Sequence, residues 1–293
     1  MISIIIVTYY SQDLIQDCIY SIFQSTTLKH KEFEIIIVDN SDMDGHKTLL
    51  TTLEKELLKY ENIRILKTPK NLGYGGGNNY GIEKSNGDLI CIMNPDIRLN
   101  EDILLDVIKQ YRENDKLCLL GYKQKGGAEI SFYLNPEFHL SIFTSMIVKL
   151  LNYINFFKAD WCYLSGALMF LEKEKFLKIG GFDEDIFLYV EEADISKRIL
   201  LEGYKINYCN NLEYTHYVKL DERANFNLKT YNYEIKSLFY YLNKYKFNRK
   251  LFLFKKILEF SFFGFFLFNK ARREKIKNMK VQLIKAYKES NFK

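Results

Sequence analysis

Three acidic residues of the sequence stand where a proton could be taken from an incoming hydroxyl. Residues 165–198 read SGALMFLEKEKFLKIGGFDEDIFLYVEEADISKR, and within them Glu191, Glu192 and Asp194 follow an aromatic-rich turn bearing Phe187 and Tyr189. From Glu191 onward Ile195, Ile199 and Leu200 recur at helical spacing, so the acids open a helix. Gly180-Gly181 close the charged helix before it. Acids at a helix start are favoured by the macrodipole, and for an isolated pair capping is the commoner role. Three acids behind an aromatic turn also suit a general base.

The elements that must position these acids alternate along the first half of the chain. ISIIIV at residues 2–7 is an apolar, β-branched run typical of a strand buried on both faces. Leu14, Ile15, Cys18, Ile19, Ile22 and Phe23 follow at helical spacing. A second strand, Glu34 to Val38, ends at Asp39-Asn40-Ser41; Leu49, Leu50, Leu53, Leu57 and Leu58 mark a helix, and Ile63 to Leu66 a third strand. Leu89 to Met93 is a fourth, stopped by Asn94-Pro95-Asp96. Such alternation predicts a parallel sheet with right-handed crossovers and a ligand crevice beyond the carboxyl ends of the strands. Thr8, Asp39 and the residues after the later strands should share it.

Between the third and fourth strands lies NLGYGGGNNYG, residues 71–81. A glycine-rich turn opening a helix can hold phosphate or sugar close to backbone amides. Ile82 stands where a Walker motif needs lysine, and Asn78 occupies the last glycine position of a dinucleotide fingerprint, so neither motif is present. Asn94-Pro95-Asp96 alone reads as a turn, and the literal Asp42-Met43-Asp44 sits in a turn-rich loop where Asp is common. Residues 101–121 supply a helix and a further strand. Phe138 to Phe157 is strongly apolar, with Lys149 its only charge; it reads as a core helix, with a lipid-facing flap as the alternative. Lys205 to Cys209 is the last strand, followed by His216, a residue type more often structural than ligating when it stands alone.

The 293 residues, 47% hydrophobic and 27% charged, suit a folded chain. Five scattered cysteines, with no CxxC pairing, suggest neither a disulfide framework nor a zinc site. With no basic, apolar leader at Met1-Ile2-Ser3-Ile4, a cytoplasmic location is expected. Charge is uneven: Lys244 to Lys293 holds fifteen Lys and Arg against three Glu, a net of +12, so with +5 overall the preceding residues carry −7. A basic tail seeks an anionic partner, nucleic acid or a lipid surface. Leu251 to Phe268 has thirteen apolar residues among eighteen, and its uncharged run is only nine residues, Phe260 to Phe268. A spanning helix needs about twenty. With flanking Arg249, Lys250, Lys270, Arg272 and Arg273 it reads as a helix lying in a membrane interface. So many phenylalanines are odd on an RNA surface, so no nucleic-acid partner is expected, and a homodimer through these C-terminal helices is the rival.

The opening stretch also resembles a known family. Its GA-hydrophobic run, GGFDE, aromatic-x-Tyr, acidic pair and Asp-x-x-x-Arg are similar to the acceptor side of family 2 glycosyltransferases, closest to the rhamnosyltransferase-like branch of bacterial surface-polysaccharide synthesis. Residues 71–81 resemble the same family's NxGxxxGxN segment, and Asn94-Pro95-Asp96 stands where most members carry Asp-x-Asp. The resemblance covers roughly residues 1–217. It implies an α/β fold of the GT-A type, a central mainly parallel sheet in domain 1–217, with 218–293 expected as a helical, basic, membrane-associating extension. It implies inverting, metal-dependent transfer of a sugar, rhamnose from dTDP-rhamnose as the first guess, from a nucleoside diphosphate to a glycan or lipid-linked glycan. Thr8, Tyr9, Asp39, Asn71, Gly76, Asn79 and Asn94 would then border the nucleotide-sugar. Asp96 and His216 would hold Mg²⁺ or Mn²⁺, ions suited to oxygen and imidazole ligands. Glu192, at the family's Asp position, would be the base, with Glu191 beside it. The enzyme would work at the inner face of the cell membrane. The contrary reading is an inactive sugar-nucleotide-binding or membrane-docking homologue.

Overall fold

The computed structural model describes residues 1–139, 143–217, 227–266 and 270–289. An eight-stranded sheet runs in the order β3-β2-β1-β4-β9-β6-β10-β5. Its strands are β1 (Ile2–Thr8), β2 (Phe33–Asp39), β3 (Ile63–Lys67), β4 (Leu89–Met93), β5 (Ile97–Leu99), β6 (Leu117–Lys125), β9 (Leu168–Glu172) and β10 (Lys205–His216). A separate hairpin pairs β7 (Phe132–Leu134) with β8 (Cys162–Leu164). The four pairings β1–β2, β2–β3, β1–β4 and β6–β10 are parallel; β9, inserted between β4 and β6, is antiparallel to both. The sheet is therefore mixed but mainly parallel, as expected.

The uniform apolar runs follow from two cores. Ile2, Ile4, Ile6, Ile35 and Ile37 enter one, while Ile5, Ile36 and Val38 enter the other, as the alternation of a strand requires. Helices α1 (Gln12–Ser25), α2 (Met43–Lys59), α3 (Gly73–Glu83), α4 (Ile103–Glu113), α6 (Lys173–Lys178) and α7 (Glu191–Leu201) flank the sheet. Asp42 accepts a hydrogen bond from Gly45 N at 2.9 Å at the start of α2, a capping role for the literal Asp-x-Asp.

Three expectations are corrected. The glycine run is not a turn ahead of the helix but part of it: Gly75, Gly76, Gly77 and Gly81 lie inside α3. A Cβ on Gly81 would come within 2.6 Å of Ile5 and 2.8 Å of Val38, so these glycines let the helix lie flush on the sheet. The last strand does not stop at Cys209. It shifts register between Cys209 and Glu213, and this bulge carries it on to His216. The apolar segment after Phe138 is not a core helix. Helix α5 (Thr144–Tyr153) buries Val148 and Asn152 but exposes Met146, Leu150 and Tyr153.

Beyond Asn227 come α8 (Leu228–Lys244), α9 (Arg249–Phe266) and α10 (Lys270–Glu289). The expected boundary at 217/218 adjoins residues 218–226, which lie outside the described residues, as does Phe268. Tyr231, Ile235, Phe239, Leu242, Phe252, Phe260 and Leu283 form a third core that also takes in Val190 and Ala193 at the start of α7. The C-terminal helices thus pack directly on the acidic helix. No helix among the described residues is long and apolar enough to cross a membrane.

Candidate active site

Asp96 follows β4, and the antiparallel β10–β5 register sets His216 opposite Ile97. His216 Nε2 comes to 3.1 Å from Asp96 Oδ2, while Nδ1 faces Gln124 Oε1 at 3.3 Å. Tyr214 donates to that same Gln124 oxygen at 3.2 Å. Both ring nitrogens therefore face oxygen acceptors, an arrangement satisfied by a doubly protonated ring or by a cation between Nε2 and the carboxylate. Asp96 Oδ1 is buried with no hydrogen-bond partner among the described residues. These residues would fit a divalent ion that draws its other ligands from outside the protein, as Mg²⁺ commonly does. Among the described residues no three His, Cys, Asp or Glu side chains gather as a self-sufficient metal cage.

At the ends of β1 and β2 the polar groups are knitted together. Thr8 and Asp39 are register partners, both buried. Asp39 Oδ1 accepts from Ser41 N at 2.9 Å and Ser41 Oγ at 2.5 Å, and Oδ2 meets His46 Nδ1 at 2.7 Å. Asn40, unremarked in the sequence beyond ending a strand, donates to Gly73 O at 2.9 Å and accepts from Thr68 Oγ1 at 2.9 Å, tying β2 to α3. Tyr9 is exposed, Asn71 accepts from Gly73 N at 2.9 Å, and Gly76 is buried within α3. Asn79 departs from expectation. Its amide accepts from Phe182 N and donates to Phe182 O, each at 2.9 Å, so its side chain is taken up in clamping the GGF turn to α3.

The acidic helix starts under strain. Tyr189 and Val190 adopt φ of 67° and 75°, and two consecutive non-glycine residues there, one β-branched, cost on the order of 1–3 kcal/mol each. Ser237 of α8 holds the turn by donating to Leu188 O at 2.8 Å, and Val190 is buried against the C-terminal core. Asp194 is fully buried and paired with Arg198 at 2.7 Å and Lys244 at 2.7 Å. Glu191 is buried, with Oε1 lacking a partner among the described residues, whereas Glu192 is half-buried. Burial pushes both carboxyls up, Glu191 further because Glu192 lies beside it. The Gly166 backbone pulls the other way at Glu192, favouring its ionised form. A Cβ on Gly166 would displace the Glu192 carboxylate, so glycine there leaves that carboxylate room in its present position. Tyr74 OH donates to Gly166 O at 2.6 Å and fixes that strand edge.

One cavity of about 560 Å³ gathers Asn94, Ser165, Gly166, Glu191, Glu192 and His216. Asp96 reaches it through His216; Thr8, Tyr9, Asp39, Asn71, Gly76 and Asn79 do not line it. Its remaining walls were missed from sequence. Tyr133 and Tyr163 come from the β7–β8 hairpin, His139 precedes α5, and Glu234, Leu238, Phe252 and Lys256 come from α8 and α9. No local pattern marks these residues, since distant segments bring them in. A larger cleft, about 830 Å³, opens at the opposite strand edge beside Met1, Leu89 and Glu172, remote from this chemistry.

Residues 3–176 match the model of the glycosyl transferase family 2. Rhamnosyltransferase WbbL of Escherichia coli (strain K12) is 28% identical over 261 residues, 83% of this chain and 92% of that protein. The N-acetylglucosaminyl-diphospho-decaprenol L-rhamnosyltransferase of Mycobacterium tuberculosis (strain ATCC 25618 / H37Rv) is 24% identical over 212 residues, 62% of this chain and 66% of that protein. Among solved structures, the mannosyltransferase PcManGT from Pyrobaculum calidifontis, in complex with GDP-Man and Mn²⁺, superposes with a TM-score of 0.65 at 12% identity, covering 99% of this chain and 86% of that one. That likeness shows the fold.

Proposed function

The chain belongs to glycosyl transferase family 2, and from that premise we propose that it transfers a hexosyl group, rhamnose from dTDP-rhamnose to be tested first, with inversion to a glycan or lipid-linked glycan acceptor in surface-polysaccharide synthesis. The names of the Escherichia coli and Mycobacterium tuberculosis relatives motivate the sugar and the acceptor. The observation that carries the reading is the cavity itself, which sets half-buried Glu192 on the same space as Asn94 and His216.

In this reading Glu192 accepts the proton of the acceptor hydroxyl as its oxygen bonds to the anomeric carbon. The bond from that carbon to the diphosphate breaks on the opposite face, and the nucleoside diphosphate leaves. Glu191, pushed up further than Glu192, is the member of the pair that gives up its proton less readily, which leaves Glu192 the better base. Asp96 and His216 would hold a divalent cation, which supplies neutralisation of charge at the diphosphate. The Asn40–Gly73–Thr68 network keeps the strand ends and α3 in fixed register beneath the nucleotide. One methylene longer than the family's Asp, Glu192 is accommodated by the missing side chain at Gly166.

Incubating the full-length protein with dTDP-, UDP- and GDP-sugars, with and without glycan acceptors, tests this through nucleoside diphosphate release. Release should require a divalent ion and vanish in Asp96→Ala. Full activity of that variant, or in EDTA, sinks the metal assignment. Absence of release with every donor and acceptor favours the inactive homologue.

The tail supports work at an anionic membrane surface. Leu251, Phe254, Leu258 and Phe262 are exposed on α9 within the +12 segment. Each basic residue near such a surface contributes on the order of 1 kcal/mol, screened by salt. Flotation with anionic liposomes checks this. A protein that stays at the bottom as a stable dimer makes α9 and α10 an oligomerisation element.

A further inference from the structure

The cavity has a wall that the family-matched residues 3–176 do not supply. Glu234 on α8 stands in that wall, a third cavity carboxyl besides Glu191 and Glu192. Glu234 is exposed to the cavity space, yet the protein crowding around it pushes its carboxyl up, while Lys256 pulls it down. Among the described residues Glu234 accepts no hydrogen bond. Lys256, the cation that faces it, is held by Glu259 at 3.0 Å. The phenols of Tyr163 and Tyr189 are each raised by burial and by all three carboxylates, so the three lie within electrostatic reach of the same two rings. Tyr133 and Tyr163 stack at 5.7 Å with an interplanar angle of 25°, and both rings line the cavity.

A carboxylate accepts hydrogen bonds and cannot donate them when ionised, so it suits a ligand rich in hydroxyls. Carboxylates at Glu192 and Glu234 in one cavity also disfavour a phosphate or carboxylate at that point by like-charge repulsion. The aromatic rings suit the C–H face of a pyranose. We propose that Glu234 is a specificity-determining residue of the acceptor subsite, accepting hydrogen bonds from hydroxyls of a neutral acceptor sugar that lies against Tyr133 and Tyr163. Acceptor choice is then written in the C-terminal helices, outside the segment that defines the family. This inference rests on the transferase reading above.

The test uses full-length protein saturated with nucleoside diphosphate and Mn²⁺, probed by saturation-transfer NMR with octyl glycosides of N-acetylglucosamine, glucose and galactose. In Glu234→Gln, glycoside affinity should fall about tenfold to a hundredfold, the loss of hydrogen bonds to a charged acceptor. Nucleoside diphosphate affinity should hold, and Glu234→Asp should recover part of the glycoside affinity. Glycoside binding equal to wild type in both Glu234→Gln and Glu234→Ala overturns the inference, as does a wild type that binds nucleotide but none of the glycosides. A wild type that binds no nucleoside diphosphate instead overturns the transferase reading.

Discussion

At the ends of β1 and β2 nearly every polar group is already bonded to protein, whereas at the start of α7 a buried carboxylate oxygen of Glu191 has no partner among the described residues. Asp39 has three short hydrogen-bond contacts and Asn40 bridges two segments, so this half is finished before any ligand arrives. Around Glu191 and Glu192 the backbone is strained, one carboxylate oxygen is orphaned and both carboxyls are pushed up. The first half is a rigid frame built by the sheet. The second is a strained, acidic site held in an unfavourable state by the packing around it, the condition expected of the functional site proposed above.

The sharpest way to break that comparison is Glu192→Gln. Turnover should fall at least about a hundredfold, the low end for a general base, with Glu191→Gln milder. If the two rank the other way, the base is Glu191. Both folded carboxyls lie above the unfolded glutamate value, so the folded state binds more protons and stability is lost as pH rises through the folded values. Either Gln variant should therefore melt higher than wild type at neutral pH. For the same reason the acid limb of the wild-type rate profile should lie above 4.5, where an ordinary glutamate titrates. An unchanged melting temperature and a limb at the ordinary value would show that the acidic half carries no such cost.

A middling effect is expected at Ser237, which touches only the strained turn. Ser237→Ala should cost about 1 kcal/mol of stability by losing the bond to Leu188 O. It should lower turnover severalfold without moving donor affinity, and Ser237→Thr should restore both. A purely structural serine would change melting temperature and leave turnover per folded molecule intact.

The smallest change is sought in the frame, where Thr8 Oγ1 is the exception, buried with no partner among the described residues. Thr8→Val keeps the shape and removes the orphan, so stability should hold or rise by about 1 kcal/mol. Nucleoside diphosphate affinity should weaken roughly fivefold, the share of one neutral hydrogen bond. If calorimetry shows neither change, Thr8 belongs to the frame alone.

How much was legible in the sequence varies between these two halves. The strands of the frame were readable, because β1, β2 and β4 are mostly apolar runs and the ends of β2 and β4 are marked by Asp39 and Asn94-Pro95-Asp96. The acidic pair was readable from its helical spacing and its motif. The role of the glycines was not, since helix-interior glycine and loop glycine look alike until Ile5 and Val38 are found beneath Gly81. Asn79 likewise reads as a polar residue beside a crevice, and only its bonds to Phe182, more than a hundred residues away in sequence, show its side chain taken up in clamping the GGF turn.

Local order in this protein was set by the sequence itself: strand and helix periods, the carboxylates at a helix start, the charge of the tail. These depend on residues within a few positions of one another, and periodicity records them directly. Tertiary structure alone decided which side of the acidic helix is a cavity and what closes it. Glu234, Leu238, Phe252 and Lys256 reach Glu192 only because α8 and α9 bury their apolar faces against Val190 and Ala193. Hydrophobic burial is non-directional, so the partner of an apolar face is fixed by packing across the whole chain and not by any stretch of it.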